Sequence, residues 1–152
     1  MQSTSPDPLD AFDEAEALRA RQYAWRTSAA MLLALTVINA GLVILTRSRF
    51  DTYFVVTNGL NLILAAGLVS GASWARVLTI LRAGLGILLA LVTGFSQGVS
   101  ADALVTLLLL GGIALPLIGA PRQVKSYAAI ALFLLGLSTT LFAFFGQLVV
   151  VN

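Results

Sequence analysis

Five long runs of apolar residues, separated by short polar segments, dominate the pattern of the chain. They cover residues 27–46, 53–72, 74–97, 101–120 and 125–150. A helix of about 20 residues crosses the roughly 30 Å hydrocarbon layer of a bilayer. Each run is therefore long enough to span a membrane. The pattern predicts an all-α fold, a polytopic transmembrane bundle of five helices, with four as the alternative count.

The composition agrees with a membrane protein. Of the 152 residues, 59% are hydrophobic and 11% are charged. A soluble domain of this length has too much surface for its volume to hide so many apolar side chains. The lipid bilayer is therefore the expected partner. The formal charge of +2 is too small to indicate binding to nucleic acid.

Residues 1–26 form a polar tail ahead of the first apolar run. Its acidic residues precede its arginines, an order that complements the helix dipole, so we expect a short amphipathic helix here. This helix is a solvated lead-in, a segment resting on the membrane surface, or a docking site for a partner. The tail lacks the short basic segment of a signal peptide, and the apolar run after it is too long for one. We therefore expect an uncleaved anchor.

Small residues recur at every fourth position of the third run, at Gly86, Ala90, Gly94 and Gly98. Residues four apart lie on one face of a helix, where small side chains let two helices approach closely. The second run ends with a similar pair, Gly67 and Gly71. We therefore expect the third helix to pack tightly, either with a second copy of this chain or within a larger membrane complex.

Arg82 stands four residues before Gly86 and heads the same face. The second and third runs meet in a short turn near Ala72, so they form an antiparallel hairpin. Counting outward from this turn places Asn61 level with Arg82, and Asn58 level with Gly86. We expect Asn61, with Asn58 as the alternative, to hydrogen-bond the Arg82 guanidinium. The competing interpretation is that Arg82 snorkels back to the interface.

Two further features lie inside the apolar runs. Asn39 is near the middle of the first run, where an amide is expected to face another helix rather than lipid. Pro116 in the fourth run clashes with the carbonyl of Gly112, so we expect a bend between these residues. The bend acts either as a gate or simply as part of how the bundle closes.

The sequence has few residues of the types that carry out catalysis. It contains no cysteine and no histidine, and its acids near the apolar runs, Asp51 and Asp102, stand at the ends of helices. Acid–base catalysis, metal catalysis and a cofactor site therefore have no candidate residues, and we predict that the protein is not an enzyme. The leading interpretation is a structural or accessory membrane subunit. The alternatives are a small pore, a carrier, or a protein that binds an anion or a lipid headgroup through Arg82.

The distribution of basic residues predicts the orientation, because Lys and Arg near helix ends favour the cytoplasm. With five spans, one side of the membrane carries Arg19, Arg21, Arg26, Arg76, Arg122 and Lys125, and the other carries Arg47 and Arg49. The N-terminus is therefore expected in the cytoplasm and the C-terminus outside.

The turn between the second and third runs, residues 71–76, has the sequence GASWAR. It resembles the G-x-x-W-A-R hairpin turn of many small bacterial multi-pass membrane proteins of unknown function. The resemblance covers roughly the second and third helices. It implies a protein of the bacterial inner membrane whose hairpin turn is cytoplasmic, and it implies no particular activity.

Overall fold

The computed structural model describes residues 8–46, 51–98, 100–119 and 123–150. For residues 8–13, 97 and 145–150 it describes the backbone only. Its α-helices are α1 (Pro8–Leu45), α2 (Thr52–Val69), α3 (Ser73–Gln97), α4 (Ala101–Ala114) and α5 (Gln123–Val150). A 3₁₀ segment, Leu115–Leu117, follows α4 directly. No strand occurs in these ranges. The predicted all-α class is confirmed.

The lengths of the helices support a polytopic membrane bundle. The four spans that are long and apolar enough to cross a bilayer within the described ranges are Glu14–Leu45, Thr52–Val69, Ser73–Ser96 and Gln123–Phe144. The remaining apolar helix, Ala101–Leu117, is shorter. The bundle thus has the five predicted helices, and four of them are both long and apolar enough to span a membrane.

The first helix differs from its prediction. The short helix expected in residues 1–26 and the spanning helix expected from residue 27 form one continuous helix of 38 residues. The physical reason is local: from Leu9 to Ala40 the sequence has neither glycine nor proline to end a helix. Pro8 is at the first helical position, where its missing N–H costs nothing. A helix of this length, roughly 57 Å, extends well beyond the bilayer core.

The fourth helix ends earlier than predicted. The expected helix over 101–120 stops at Ala114, and the bend expected at Gly112 and Pro116 is a change from α-helix to the 3₁₀ segment. Pro116 causes the change because it has no N–H to donate to Gly112 and its ring crowds that carbonyl. Ile118 then continues in an extended conformation.

Buried side chains concentrate at one end of the bundle. This end, here named the turn end, holds the α2–α3 turn, the 3₁₀ segment and the start of α5. Its core contains Ala29, Leu32, Leu64, Leu68, Ala75, Ile113, Leu117, Ala129 and Phe133. α4 packs between α3 and α5, while α1 packs mainly on α2. The opposite end, here named the far end, exposes large apolar side chains such as Leu45, Tyr53 and Phe95.

Candidate intramembrane polar site

Arg82 and Asn61 are hydrogen-bonded across the α2–α3 hairpin. The guanidinium Nη1 of Arg82 donates to Oδ1 of Asn61, which confirms the partner expected from counting along the two helices. Asn61 is completely buried, and Arg82 is half-buried. Asn61 lies about 12 Å along α2 from its last residue, Val69. The Arg82 guanidinium is therefore directed towards α2, where Asn61 holds it.

A small cavity adjoins this pair. Its lining comes from α1, α2, α3 and α4, and its polar members are Asn61, Thr79 and Arg82. The cavity volume is about 20 Å³. A space of this size holds one small species, such as a water molecule or a monatomic ion. The site is therefore lined by residues of four helices.

Hydrogen-bond donors outnumber acceptors around the cavity. Asn61 Nδ2 is buried and has no hydrogen-bond partner in the described part of the chain. Thr79 Oγ1 already donates to the carbonyl of Ala75 at 2.7 Å. The Arg82 guanidinium carries only donors, and one of them is used on Asn61. What the site lacks is an acceptor that faces both Asn61 Nδ2 and Arg82.

The acidic side chains that the structure describes are remote from Arg82. Asp51 lies at the far end, where it caps α2 by accepting a hydrogen bond from the backbone N–H of Phe54. Asp102 is in the first turn of α4, also at the far end. Glu14 and Glu16 belong to the early, exposed part of α1. Within the described ranges, no carboxylate neutralises the Arg82 charge.

Asn39 and Asn58 form a separate pair. Asn39 Nδ2 on α1 donates to Oδ1 of Asn58 on α2 at 3.5 Å, so Asn39 faces another helix as predicted. Asn58 Nδ2 donates to the carbonyl of Phe54 at 2.9 Å. Asn58 is thus engaged with α1 and its own helix, and the alternative pairing with Arg82 is wrong. Both amides line a cavity of about 370 Å³ at the far end.

The small-residue face of α3 is occupied along only part of its length. A Cβ atom added at Gly86 would collide with Leu110 of α4, and Ala90 is buried. A Cβ added at Gly94 or Gly98 would have no described atom within 4 Å, apart from its chain neighbours and the nearby backbone of its own helix. Gly98 has φ +88° and ends the helix. The first half of the predicted packing face is therefore used within the chain, and the second half is open.

The second glycine pair shapes the hairpin. A Cβ at Gly67 would come within 2.6 Å of Ala75 Cβ, so this glycine lets α2 and α3 meet at the turn. Gly71 has φ +76°, a conformation that favours glycine, and it forms the turn itself. Trp25 of α1 lies next to Gly71, at 3.7 Å from the position of an added Cβ.

A second polar feature, at the turn end, is missed by sequence reasoning. Arg21 and Arg76 line a recess of about 30 Å³ together with Trp25, Pro116 and Leu117. In the sequence, Arg21 contributes to the charge order of the tail and to the orientation, and Arg76 contributes to the orientation and to the GASWAR turn. The signal that could have found the recess is Pro116, because a helix broken there leaves carbonyl groups that need donors. Arg76 Nε supplies one donor, to the Leu117 carbonyl at 2.9 Å.

Three residues used in the prediction of orientation, Arg47, Arg49 and Arg122, lie outside the described residues. The remaining residues of that prediction are described. Arg76 and Lys125 are at the turn end, and Arg19, Arg21 and Arg26 are on the first half of α1.

Comparison of the chain with protein-family models, with curated proteins and with solved structures finds no match. The chemistry of the Arg82 site therefore carries the functional argument.

Proposed function

We propose that this membrane protein binds a small monovalent anion within its helical bundle, between Arg82 and Asn61. One observation carries the proposal: Asn61 Nδ2, fully buried and without an acceptor among the described residues, lies beside a guanidinium at the same cavity. In hydrocarbon, an unpartnered donor and an unneutralised charge both raise the free energy of the fold. One anion would remove both penalties.

The size and charge of the site select the ligand class. A cavity of about 20 Å³ is too small for a lipid headgroup, a nucleotide or a carboxylic acid with a side chain. A water molecule would accept a hydrogen bond from Asn61 Nδ2 but would leave the Arg82 charge in place. A monatomic anion of halide size accepts from both groups and neutralises the charge.

The test supplies a permanent anion in place of the bound one. The variant Asn61→Asp puts a carboxylate, nearly isosteric with the amide, directly against Arg82. The purified protein is unfolded thermally in detergent with sodium chloride, sodium bromide or sodium gluconate at equal ionic strength. We expect the halides to raise the unfolding temperature of the wild-type protein, because a ligand that binds the folded state stabilises it. Asn61→Asp should be stable in gluconate and insensitive to halide.

The matched control is Asn58→Asp, one helical turn away on α2. Asn58 does not contact Arg82, so this variant should retain the halide dependence of the wild type. Equal responses of the wild type to chloride and gluconate would contradict the proposal. So would a halide response that survives in Asn61→Asp. A bromide peak in anomalous diffraction next to Arg82 would identify the ligand directly.

A second candidate function follows from the open half of the α3 face. No described atom outside α3 lies within 4 Å of the Cβ position of Gly94, and Phe95 beside it is 90% exposed. Such a surface supports the role of an accessory subunit that packs on a second copy of this chain or on a larger membrane complex. The support for this role is limited to part of the face, because α4 already covers the Gly86 half.

We also propose a setting for the protein. The bundle belongs to a bacterial inner membrane, with the N-terminus and the turn end in the cytoplasm, in a role that is not enzymatic. The support is the basic turn end, the resemblance of the GASWAR turn, and a chain without histidine or cysteine. A C-terminal fusion to a reporter that works only in the cytoplasm should be silent, and an active fusion would reverse the orientation.

A further inference from the structure

The recess at the turn end is built from two arginines and one aromatic ring. Arg21 and Trp25 approach it from α1, Arg76 from α3, and Pro116 and Leu117 from the 3₁₀ segment. None of the described residues that line it is acidic. The Arg21 side chain is exposed, so the recess is open on that side. Two positive charges thus face one small open space.

The fold holds Arg76 in place and leaves part of its guanidinium available. Pro116 ends α4, and the Leu117 carbonyl beyond it accepts a hydrogen bond from Arg76 Nε at 2.9 Å. This contact uses one edge of the guanidinium. The terminal NH₂ groups carry the N–H donors that suit bidentate binding to phosphate oxygens. Arg76 is therefore oriented before any ligand arrives.

Aromatic side chains around the recess place it at the depth of lipid headgroups. Trp25 lines the recess, and Trp74, Tyr127 and Tyr23 are 48%, 61% and 42% exposed at the same end of the bundle. Trp and Tyr concentrate where the hydrocarbon layer meets the headgroups. A recess lined by arginines at that level meets the phosphates of the lipids that surround the protein.

We propose that the Arg21–Arg76 recess binds the phosphate group of an anionic phospholipid. The volume of about 30 Å³ admits the oxygen atoms of a single phosphate rather than a complete headgroup, which would remain outside. The site is distinct from the Arg82 site, because Arg76 precedes Arg82 by six residues, roughly 9 Å along α3. It takes a different ligand and does not depend on the proposed halide site.

The experiment measures the lipid retained by the full-length protein. Dioleoyl-phosphatidylglycerol is titrated into detergent-purified protein, and the bound adducts are counted by native mass spectrometry. We expect Arg21→Ala to lower the apparent affinity about fivefold, the effect of losing one cation near an anionic surface. Arg21 has no hydrogen bond in the described part of the chain, so this variant should fold normally.

Arg19→Ala is the matched control. It removes the same charge two residues away on α1, where the side chain does not line the recess, and it should bind lipid like the wild type. A second variant, Arg76→Gln, retains a donor for the Leu117 carbonyl but loses the charge, and should weaken lipid binding to a similar extent as Arg21→Ala.

Two results would overturn the proposal. Equal losses in Arg21→Ala and Arg19→Ala would mean that the lipid responds to the general charge of this end and not to the recess. Displacement of the lipid by millimolar inorganic phosphate, with binding of that phosphate lost in Arg21→Ala, would assign the recess to a free phosphate instead of a lipid.

Discussion

The turn end and the far end of the bundle use the same helices but pack them differently. At the turn end, all five α-helices and the 3₁₀ segment share one core, and residues such as Leu64, Ala75 and Ala129 are almost fully buried. At the far end, Val37, Leu45 and Tyr53 are 69%, 70% and 78% exposed. The buried core cluster of the described residues therefore lies at the turn end.

Small side chains are part of the core at the turn end. Lipid tails are as apolar as a protein core, so close van der Waals contact between helices, rather than apolar character, favours association. The turn end brings Ala29, Ala75 and Ala129 together from three helices. The Asn61–Arg82 pair lies next to the core of the turn end, beside Leu64 and Ile113. The neighbouring helices thus give the donor-rich site its fixed geometry.

The largest predicted effect is at Gly112, at the turn end. An added Cβ would come within 2.9 Å of the Ala129 carbonyl oxygen and 3.1 Å of the Phe133 backbone nitrogen, and these backbone atoms cannot move aside cheaply. We expect Gly112→Ala to lower the free energy of unfolding by about 1–3 kcal/mol. Reversible unfolding in mixed micelles measures the change.

Gly111→Ala is the control for this prediction. The two glycines are adjacent on α4, but no described atom outside the helix lies within 4 Å of the Cβ position of Gly111. Alanine is the better helix former, so this change should be neutral or stabilising by about 0.5–1 kcal/mol. If both variants lost stability equally, the loss in Gly112→Ala could not be assigned to the close contact between α4 and α5.

Ser28 provides a smaller test at the same end. Its Oγ is completely buried and donates to the Ile113 carbonyl at 2.8 Å, which ties α1 to the end of α4. Ser28→Ala removes the donor for a buried carbonyl, with an expected loss of about 1–2 kcal/mol of unfolding free energy. Thermal unfolding of the variant beside the wild type gives the comparison.

Ser138→Ala is the same substitution outside the core. Ser138 is exposed, and its Oγ donates to the Leu134 carbonyl of its own helix at 2.8 Å. Such bonds within a helix add little to stability, so no measurable change is expected. Equal effects of the two variants would mean that the hydrogen bond joining α1 to α4 stabilises the fold no more than one within a single helix.

The Asn61–Arg82 pair was predictable from the sequence because it depends on one short distance along the chain. A turn of a few residues near Ala72 fixes the register of two antiparallel helices, and counting then gives the depth of every residue. The number of helices follows equally directly from the apolar runs. These inferences need no knowledge of how the other helices pack.

The remaining features depend on contacts between distant segments. The spacing places Gly86 and Gly94 on one face of α3. Which of them contacts another helix depends on the path of α4, which covers Gly86 and leaves the space at Gly94 open. The recess at Arg76 requires that α4 end at Ala114, and the apolar pattern continues through that point. The continuous α1 is not predicted from the pattern, because a change from polar to apolar residues does not by itself end a helix.

The smallest effect on stability is expected at Gly94, in the open half of α3. Because no described atom outside its helix lies within 4 Å of its Cβ position, Gly94→Ile should leave the unfolding free energy of the single chain nearly unchanged. Under the second candidate function, the same variant should hold two helices apart and abolish crosslinking between chains in membranes. Gly84→Ile is the control, since Gly84 is also open but lies off the Gly86–Ala90–Gly94 face. Unchanged crosslinking in Gly94→Ile would mean that the Gly94 surface is not an interface between chains, and the second candidate function would lose its support.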